Sequence, residues 1–483
     1  MITRNLEQPI INDLQKKMVF VSGPRQVGKT TMAFALAEKR YKGAYKYFNW
    51  DSIEDRRLLM AGSLPGDSKL IIFDEIHKYR KWKNYLKGQY DKYKSRFHIL
   101  VTGSARMDNS VVSRKYIDIC RANFVPDSRR DECSVPPVAH KRGATQKPGE
   151  SGSAQREGSY LANFRRTLPK HTAEGMPASA FAKTWLKSEP SNINIFAGHD
   201  TGKGGDSMLG RYFHYVLHPL TLAEVTHSKT STEPFKELLF HQNRKEQVEA
   251  LVLLNRFGGF PEMFVAQNPR DLRRWHNDRV DRLIREDIRD VENLRDLSSL
   301  QLLVDMIPSK AGGLLSLNSL REDMQVSHKT VSLWMDVLER FYYHFRVYPY
   351  QNSLIKSLRK EPKLYLWDWT QLENEGARFE NLVASHLLKM CDYLRDVEGY
   401  KAKLFYIRDV EQRETDFLVA IDNKPWFCVE VKLSATNVSS SLRYFMQKIK
   451  APFGYQVVMT DGVDLINDQV RIISASKFLA SIS

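Results

Sequence analysis

The chain has 483 residues and a formal net charge of +16 at pH 7, with 42% hydrophobic and 27% charged residues. That length exceeds what one hydrophobic core serves, so about three packed units are expected. No apolar run approaches the roughly 20 residues of a spanning helix, the opening MITRNLEQPI lacks the pattern of a secretory leader, and the expectation is a cytoplasmic chain with no membrane role. Cys120, Cys133, Cys391 and Cys428 form no C-x-x-C pair, which argues against a disulfide framework or a zinc site. The positive balance favours anionic partners, nucleic acid foremost, because a positive field attracts phosphate backbones.

Met18–Ser22 (MVFVS) is an apolar run too short for a helix, and it leads into GPRQVGKTT and then the helical TTMAFALAEKRY. The order strand, loop, helix with G-x-x-x-x-G-K-[ST] spacing predicts a P-loop over Gly23, Pro24, Arg25, Gln26, Val27, Gly28, Lys29, Thr30 and Thr31. Glycines let backbone amides converge on phosphates, Lys29 places a positive charge on the outer phosphates, and Thr30 offers a hydroxyl to Mg2+. ATP is the expected ligand. A bare glycine turn is the bland alternative, and the strand and helix on either side disfavour it.

Leu70–Phe73 is a buried strand in prospect, delivering Asp74 and Glu75 at its carboxyl end, the edge where α/β sheets bind ligands. Asp74 is the expected magnesium holder, and Glu75 is placed to orient or deprotonate the attacking water. A third strand, HILVT at His98–Thr102, ends in Gly103 and Ser104, where a γ-phosphate sensor would lie, a plain polar strand end being the equal alternative.

The phrases GPRQVGKTT, LIIFDEIHKYRKWKNYLKGQYD, ILVTGSARMD, GRYFHYVLHPLTLAEV and RFGGFPE together resemble AAA-type ATPases of bacteria and archaea whose P-loop domain precedes a conserved domain of unknown function. The resemblance implies a sensor role for Ser104 and an arginine finger at Arg211. It also implies action as rings or clusters, although no repeat or coiled coil here fixes a homo-oligomer count.

Between the sensor strand and GGDSMLGRYFHY stand residues 109–203, with seven prolines, seven glycines and fifteen Lys plus Arg against nine Asp plus Glu. No apolar period runs through them, so they are expected to be a largely disordered insertion. A basic arm for nucleic acid and an inert insertion are the competing readings, the inert one being favoured.

Phe235 to about Leu300 reads as charged helix broken by a turn at RFGGFPE. LNSLREDMQVSHKTVSLWMDVLERF then predicts a helix-turn-helix, with Ser327 capping a second helix whose Val331, Trp334, Leu338 and Phe341 share one face. FRVYPY and KLYLWD alternate like paired strands and suggest a wing. His328, Lys329, Ser332, Asp336 and Glu339 are the expected outward positions; their acids weigh against base reading, and DNA docking and a purely structural winged helix both stay open.

After Asp368 a helix over Gly376–Met390 and strands over Leu404–Arg408, Thr415–Ile421 and Phe427–Leu433 are expected. Alternation puts Glu430 and Lys432 on one face. A helical Glu380, a lone Asp416 and then Glu-x-Lys resemble the PD-(D/E)xK nuclease superfamily. That resemblance implies that Asp416 and Glu430 bind Mg2+, that Lys432 orients water or stabilises phosphate charge, and that Glu380 assists. A salt-bridged strand pair is the bland alternative.

The expected fold class is α/β, with a P-loop AAA-type ATPase core (1–108 and 204–234) interrupted by the insertion (109–203). A helical region (235–300), a winged-helix-like region (301–367) and a restriction-endonuclease-like α/β domain (368–483) follow. The leading functional expectation is a DNA-coupled ATPase. Its rivals are a nucleotide-switched interaction protein whose C-terminal domain binds without cutting, and an ATPase disabled by its insertion.

Overall fold

The computed structural model describes residues 2–62, 64, 66–106, 208, 210–230, 232–242, 244–289, 296–351, 360–434 and 437–482. The expectation for 109–203 lies outside the described residues.

Five strands, β1 (Met18–Ser22), β2 (Tyr45–Asn49), β3 (Leu70–Asp74), β4 (His98–Gly103) and β5 (Tyr212–Val216), form one sheet in the order β2-β3-β4-β1-β5. Every pairing is parallel. Because side chains alternate along a strand, these apolar runs feed two cores. Val19, Val21, Leu70, Ile72 and Leu100 pack with Met32 and Leu36 of the Lys29–Tyr41 helix, whereas Phe20, Ile71, Phe73, Ile99 and Val101 pack with Leu86 of the Trp82–Tyr93 helix. The result is a mixed α/β fold with a parallel N-terminal sheet of the kind that carries P-loops.

Helices Lys245–Phe257, Pro261–Ala266 and Pro269–Arg282 follow. The RFGGFPE turn has a packing reason. Gly258 ends the first helix at φ 79°, a left-handed value glycine tolerates. Gly259 lies so close to its neighbours that an added Cβ would sit 2.7 Å from the Leu220 carbonyl oxygen and 2.9 Å from the Trp369 ring. The Pro269–Arg282 helix then widens into a π-helical segment, Leu283–Ile288.

Helices Leu317–Met324 and His328–Arg340 are joined through Gln325–Ser327, and Ser327 Oγ accepts from the Thr330 N–H at 3.1 Å. Val331, Trp334, Leu338 and Phe341 are buried together. The expected outward acids need correction. Glu339 is only 8% exposed, and Arg346 takes Asp336 at 2.6 Å and Glu339 at 3.3 Å, because the strand after the helix brings a buried guanidinium under them. Their charge is neutralised, and His328 and Lys329 remain exposed.

That strand, β6 (His344–Pro349), pairs antiparallel with β7 (Lys363–Leu366) and parallel with β8 (Ala402–Arg408). The hairpin thereby joins β9 (Glu414–Ile421), β10 (Lys424–Lys432), β11 (Phe453–Val458), β12 (Asp464–Asn467) and β13 (Val470–Ser474). Their order is β12-β13-β11-β10-β9-β8-β6-β7, one eight-stranded sheet that crosses the sequence position 367/368. Phe417, Val419, Phe427 and Val429 pack on Phe379, Leu382 and Leu387 of the Glu375–Asp396 helix, which runs six residues past its expected end, while Leu418 and Cys428 pack on Leu442 and Phe445 of the Ser440–Ile449 helix. Among the described residues no helix is long and apolar enough to cross a membrane.

Candidate functional site

The carboxyl edge of the parallel sheet gathers the phosphate-loop residues. Gly28 adopts φ 94° at the start of the Lys29–Tyr41 helix, a conformation that a side chain would strain. Gly23 passes so close to Leu217 that a Cβ would lie 2.4 Å from its carbonyl oxygen. Lys29, 6% exposed, bends back so that Nζ donates to the carbonyls of Gly23 (3.0 Å) and Pro24 (2.8 Å). Burial lowers its pKa, while Glu75, Asp74 and Asp287 oppose that shift.

Asp74 is a hub. Its Oδ2 accepts from Thr30 Oγ1 (2.9 Å) and the Tyr47 hydroxyl (2.8 Å), and its Oδ1 from Thr102 Oγ1 (2.6 Å). Glu75 stands at φ 54°, an uncommon backbone for a residue with a side chain and one that recurs at functional sites. Ser104 Oγ donates to Glu75 Oε2 at 3.1 Å. Lys29, Thr30, Asp74, Glu75 and Ser104 thus meet in one cluster. The adjacent Thr30 hydroxyl and Asp74 carboxylate are hard oxygen donors that fit magnesium.

Arg211 lies elsewhere. It precedes β5 beside Met18, at the amino edge of the sheet, and its Nε pairs with Asp91 at 2.9 Å. Within its own chain it is not brought to the phosphate loop.

Four residues near the loop carry no local sequence signal. Tyr47 and Thr102 reach Asp74 from neighbouring strands. From the π-helical segment, Asp287 meets Arg25 Nη1 at 2.9 Å while Glu286 meets Nη2 at 2.9 Å. Asp287 is 3% exposed; burial raises its pKa to about 6 even though Arg25 pulls it down, and Glu75 adds to the rise.

A second cluster lies in the eight-stranded sheet. Lys432 Nζ binds Glu430 Oε1 at 2.9 Å, and Asp416 Oδ2 accepts the Val431 N–H at 2.9 Å. Glu380, Asp416 and Glu430 all act on Lys432 electrostatically, so the four expected residues are neighbours. Burial followed by the Asp416 charge raises Glu380 and Glu430 to about 7, and burial raises Asp416 too.

Lys363 joins them unforeseen. From β7 its buried ammonium reaches Glu414 (2.5 Å), Glu380 (3.3 Å) and Asp416 (3.7 Å), and the Tyr365 hydroxyl, on the same face, donates to Glu380 Oε1 at 2.7 Å. Period-2 alternation in KLYL was the one signal that pairs Lys363 with Tyr365. Among the described residues no group of three or more acids, histidines or cysteines has the arrangement of a metal cage. Asp416 and Glu430, whose Oε2 is buried without a partner, are the two carboxylates that fit a magnesium ion keeping most of its water.

A phosphate loop entering a helix, with an acid-ended interior strand of the same parallel sheet, defines a P-loop nucleotide-binding domain. The particular likeness is to AAA-type ATPases: residues 15–116 match the family model described as AAA domain. Residues 249–370 and 375–478 match two models described as domains of unknown function, DUF8612 and DUF4143. A comparison with curated proteins finds no match. Eleven chains of solved structures match, among them a crystal structure of Bacteroides Pif1 bound to ssDNA, at 20% identity and a TM-score of 0.17, over 26% of this chain and 37% of that one.

Proposed function

We propose that the chain is an ATPase that acts on DNA. The observation that carries the ATPase reading is the convergence of Lys29, Thr30, Asp74, Glu75 and Ser104 at one sheet edge. In this reading the backbone of Gly23–Thr31 and the Lys29 ammonium grip the ATP phosphates, and Thr30 and Asp74 hold magnesium. Magnesium, when bound, neutralises charge on the phosphates. Glu75 holds and deprotonates the attacking water, with Ser104 fixing its carboxylate and sensing the γ-phosphate. Arg211 acts across a subunit contact as a finger, which requires a homo-oligomer.

DNA enters through the net charge of +16 and the helix pair at 317–340, read as a helix-turn-helix whose following hairpin, β6 and β7, is built into the C-terminal sheet. His328 and Lys329 are exposed at the start of the second helix, and Arg346 satisfies its acids. The C-terminal cluster is read as a nuclease-like centre, with magnesium on Asp416 and Glu430, Lys432 beside the scissile phosphate and Glu380 in support. A cytoplasmic location accords with this role.

A second reading has its own observation: the Lys363 ammonium already lies among Glu380, Glu414 and Asp416. A centre supplied with an internal cation suits a nucleotide-switched binding protein that does not cut.

ATP turnover with and without DNA separates the two. Stimulation by duplex or single-stranded DNA supports the first reading, and turnover indifferent to DNA with ATP-dependent assembly supports the second. Nicking of supercoiled plasmid in magnesium that disappears in Asp416→Ala establishes cleavage; equal nicking by both proteins removes it.

A further inference from the structure

The phosphate loop is gripped from outside its own sheet. Arg25, within GPRQVGKTT, is held in a fork, with Asp287 on one guanidinium nitrogen and Glu286 on the other, each at 2.9 Å. Asp287 is 3% exposed, and its charge is felt by Lys29 as well as by Arg25. A buried carboxylate therefore stands beside the two cations of the phosphate loop. Both acids belong to Leu283–Ile288, a one-turn widening of the kind that concentrates at functional positions. The apolar side of that turn, Leu283, Ile284 and Ile288, is packed into the core that holds Leu300, Leu303, Trp334 and Leu338. A shift of the turn is thus mechanically continuous with the helix pair at 317–340.

We infer that Arg25 with Asp287 and Glu286 forms a latch between the phosphate loop and the helical segment, and that a nucleoside triphosphate opens it. The inference rests on the ATP-binding reading above. Phosphate oxygens and the Asp287 carboxylate are like charges competing for Arg25 and Lys29 in a partly desolvated place, where such repulsion is strong. Binding of the triphosphate displaces Asp287, frees the 283–288 turn, and reports nucleotide occupancy to the core beneath the helix pair. By reciprocity, any partner that pulls the helix pair away from the loop raises the affinity for ATP by the same factor.

The test uses the full chain and two measurements: Mg-ATP affinity by calorimetry, and amide hydrogen exchange over residues 283–289. Asp287→Asn, nearly isosteric, is expected to tighten Mg-ATP about tenfold, inside the usual range of coupling between sites, and the half-exposed Glu286→Gln to tighten it by less. In the parent, saturating Mg-ATP is expected to speed exchange over 283–289. In Asp287→Asn that stretch is expected to exchange fast with or without nucleotide. A parent that binds Mg-ATP with exchange at 283–289 unchanged, or an Asp287→Asn that binds no tighter, overturns the latch and leaves the ATPase reading intact. A folded parent that binds no Mg-ATP overturns both.

Discussion

Lys29 and Glu75 sit in the same cluster yet fail differently when changed. Lys29 offers the charge that a polyphosphate needs before any chemistry, so Lys29→Ala is expected to lose most Mg-ATP affinity by calorimetry. Glu75 bears on the water, so Glu75→Gln is expected to retain binding and lose turnover by roughly 100-fold or more. Equal affinity and turnover losses in the two variants would remove the division of labour assigned to them. Much of this site was legible because its chemistry is written in consecutive residues. Gly23–Thr31 carries its own turn, its own lysine and its own helix start, and the strand ahead of Asp74 and Glu75 announces its edge by four apolar residues. Asp287 and Lys363 were not legible, because each is an ordinary charged residue until the fold carries it to Arg25 or Asp416. Asp336 and Glu339 misled for the same reason, their partner Arg346 lying on the next strand.

Turns and caps decide where the elements stop, and two are open to direct test. Gly259 has no room for a side chain between Leu220, Pro219 and Trp369. Gly259→Ala is expected to destabilise by about 1–3 kcal/mol, as overpacking does, read as a lower urea midpoint. Ser327 supplies the side-chain acceptor for the Thr330 N–H; Ser327→Ala is expected to cost about 1 kcal/mol, and no shift in midpoint would mean the cap is replaced by water. The helices and strands themselves were legible from period, since alternation in β10 put Glu430 and Lys432 on one face. Register between distant strands was not. Nothing local says that β6 and β7 join β8, and that pairing merges the expected winged-helix-like region with the α/β region after Asp368.

Across the whole molecule, a buried charge cluster ties three distant parts together. Glu224, 2% exposed, takes Arg4 at 3.1 Å and Lys389 at 2.7 Å. Burial alone would raise its pKa, but Arg4 and Lys389 outweigh that and bring it from 4.5 to about 2. A depressed carboxylate stabilises the fold fully above its unfolded value and progressively less as pH falls toward the folded one. Stability is therefore expected to drop between about pH 4.5 and 2, by about 3 kcal/mol from this group at 1.36 kcal/mol per pH unit. Lys389, which burial lowers to about 8, stays charged throughout that window. Glu224→Gln, in which the acid dependence of the urea midpoint flattens, checks the assignment; an unchanged slope would refute it.

Tyr393 and Val397 of the late Glu375–Asp396 helix and its end pack against the core under the N-terminal parallel sheet. A nascent chain on the ribosome therefore holds that apolar face uncovered until synthesis has passed Val397. Premature termination before that point releases a polypeptide with its phosphate-loop sequence whole but its hydrophobic underside bare, a species prone to chaperone capture or aggregation.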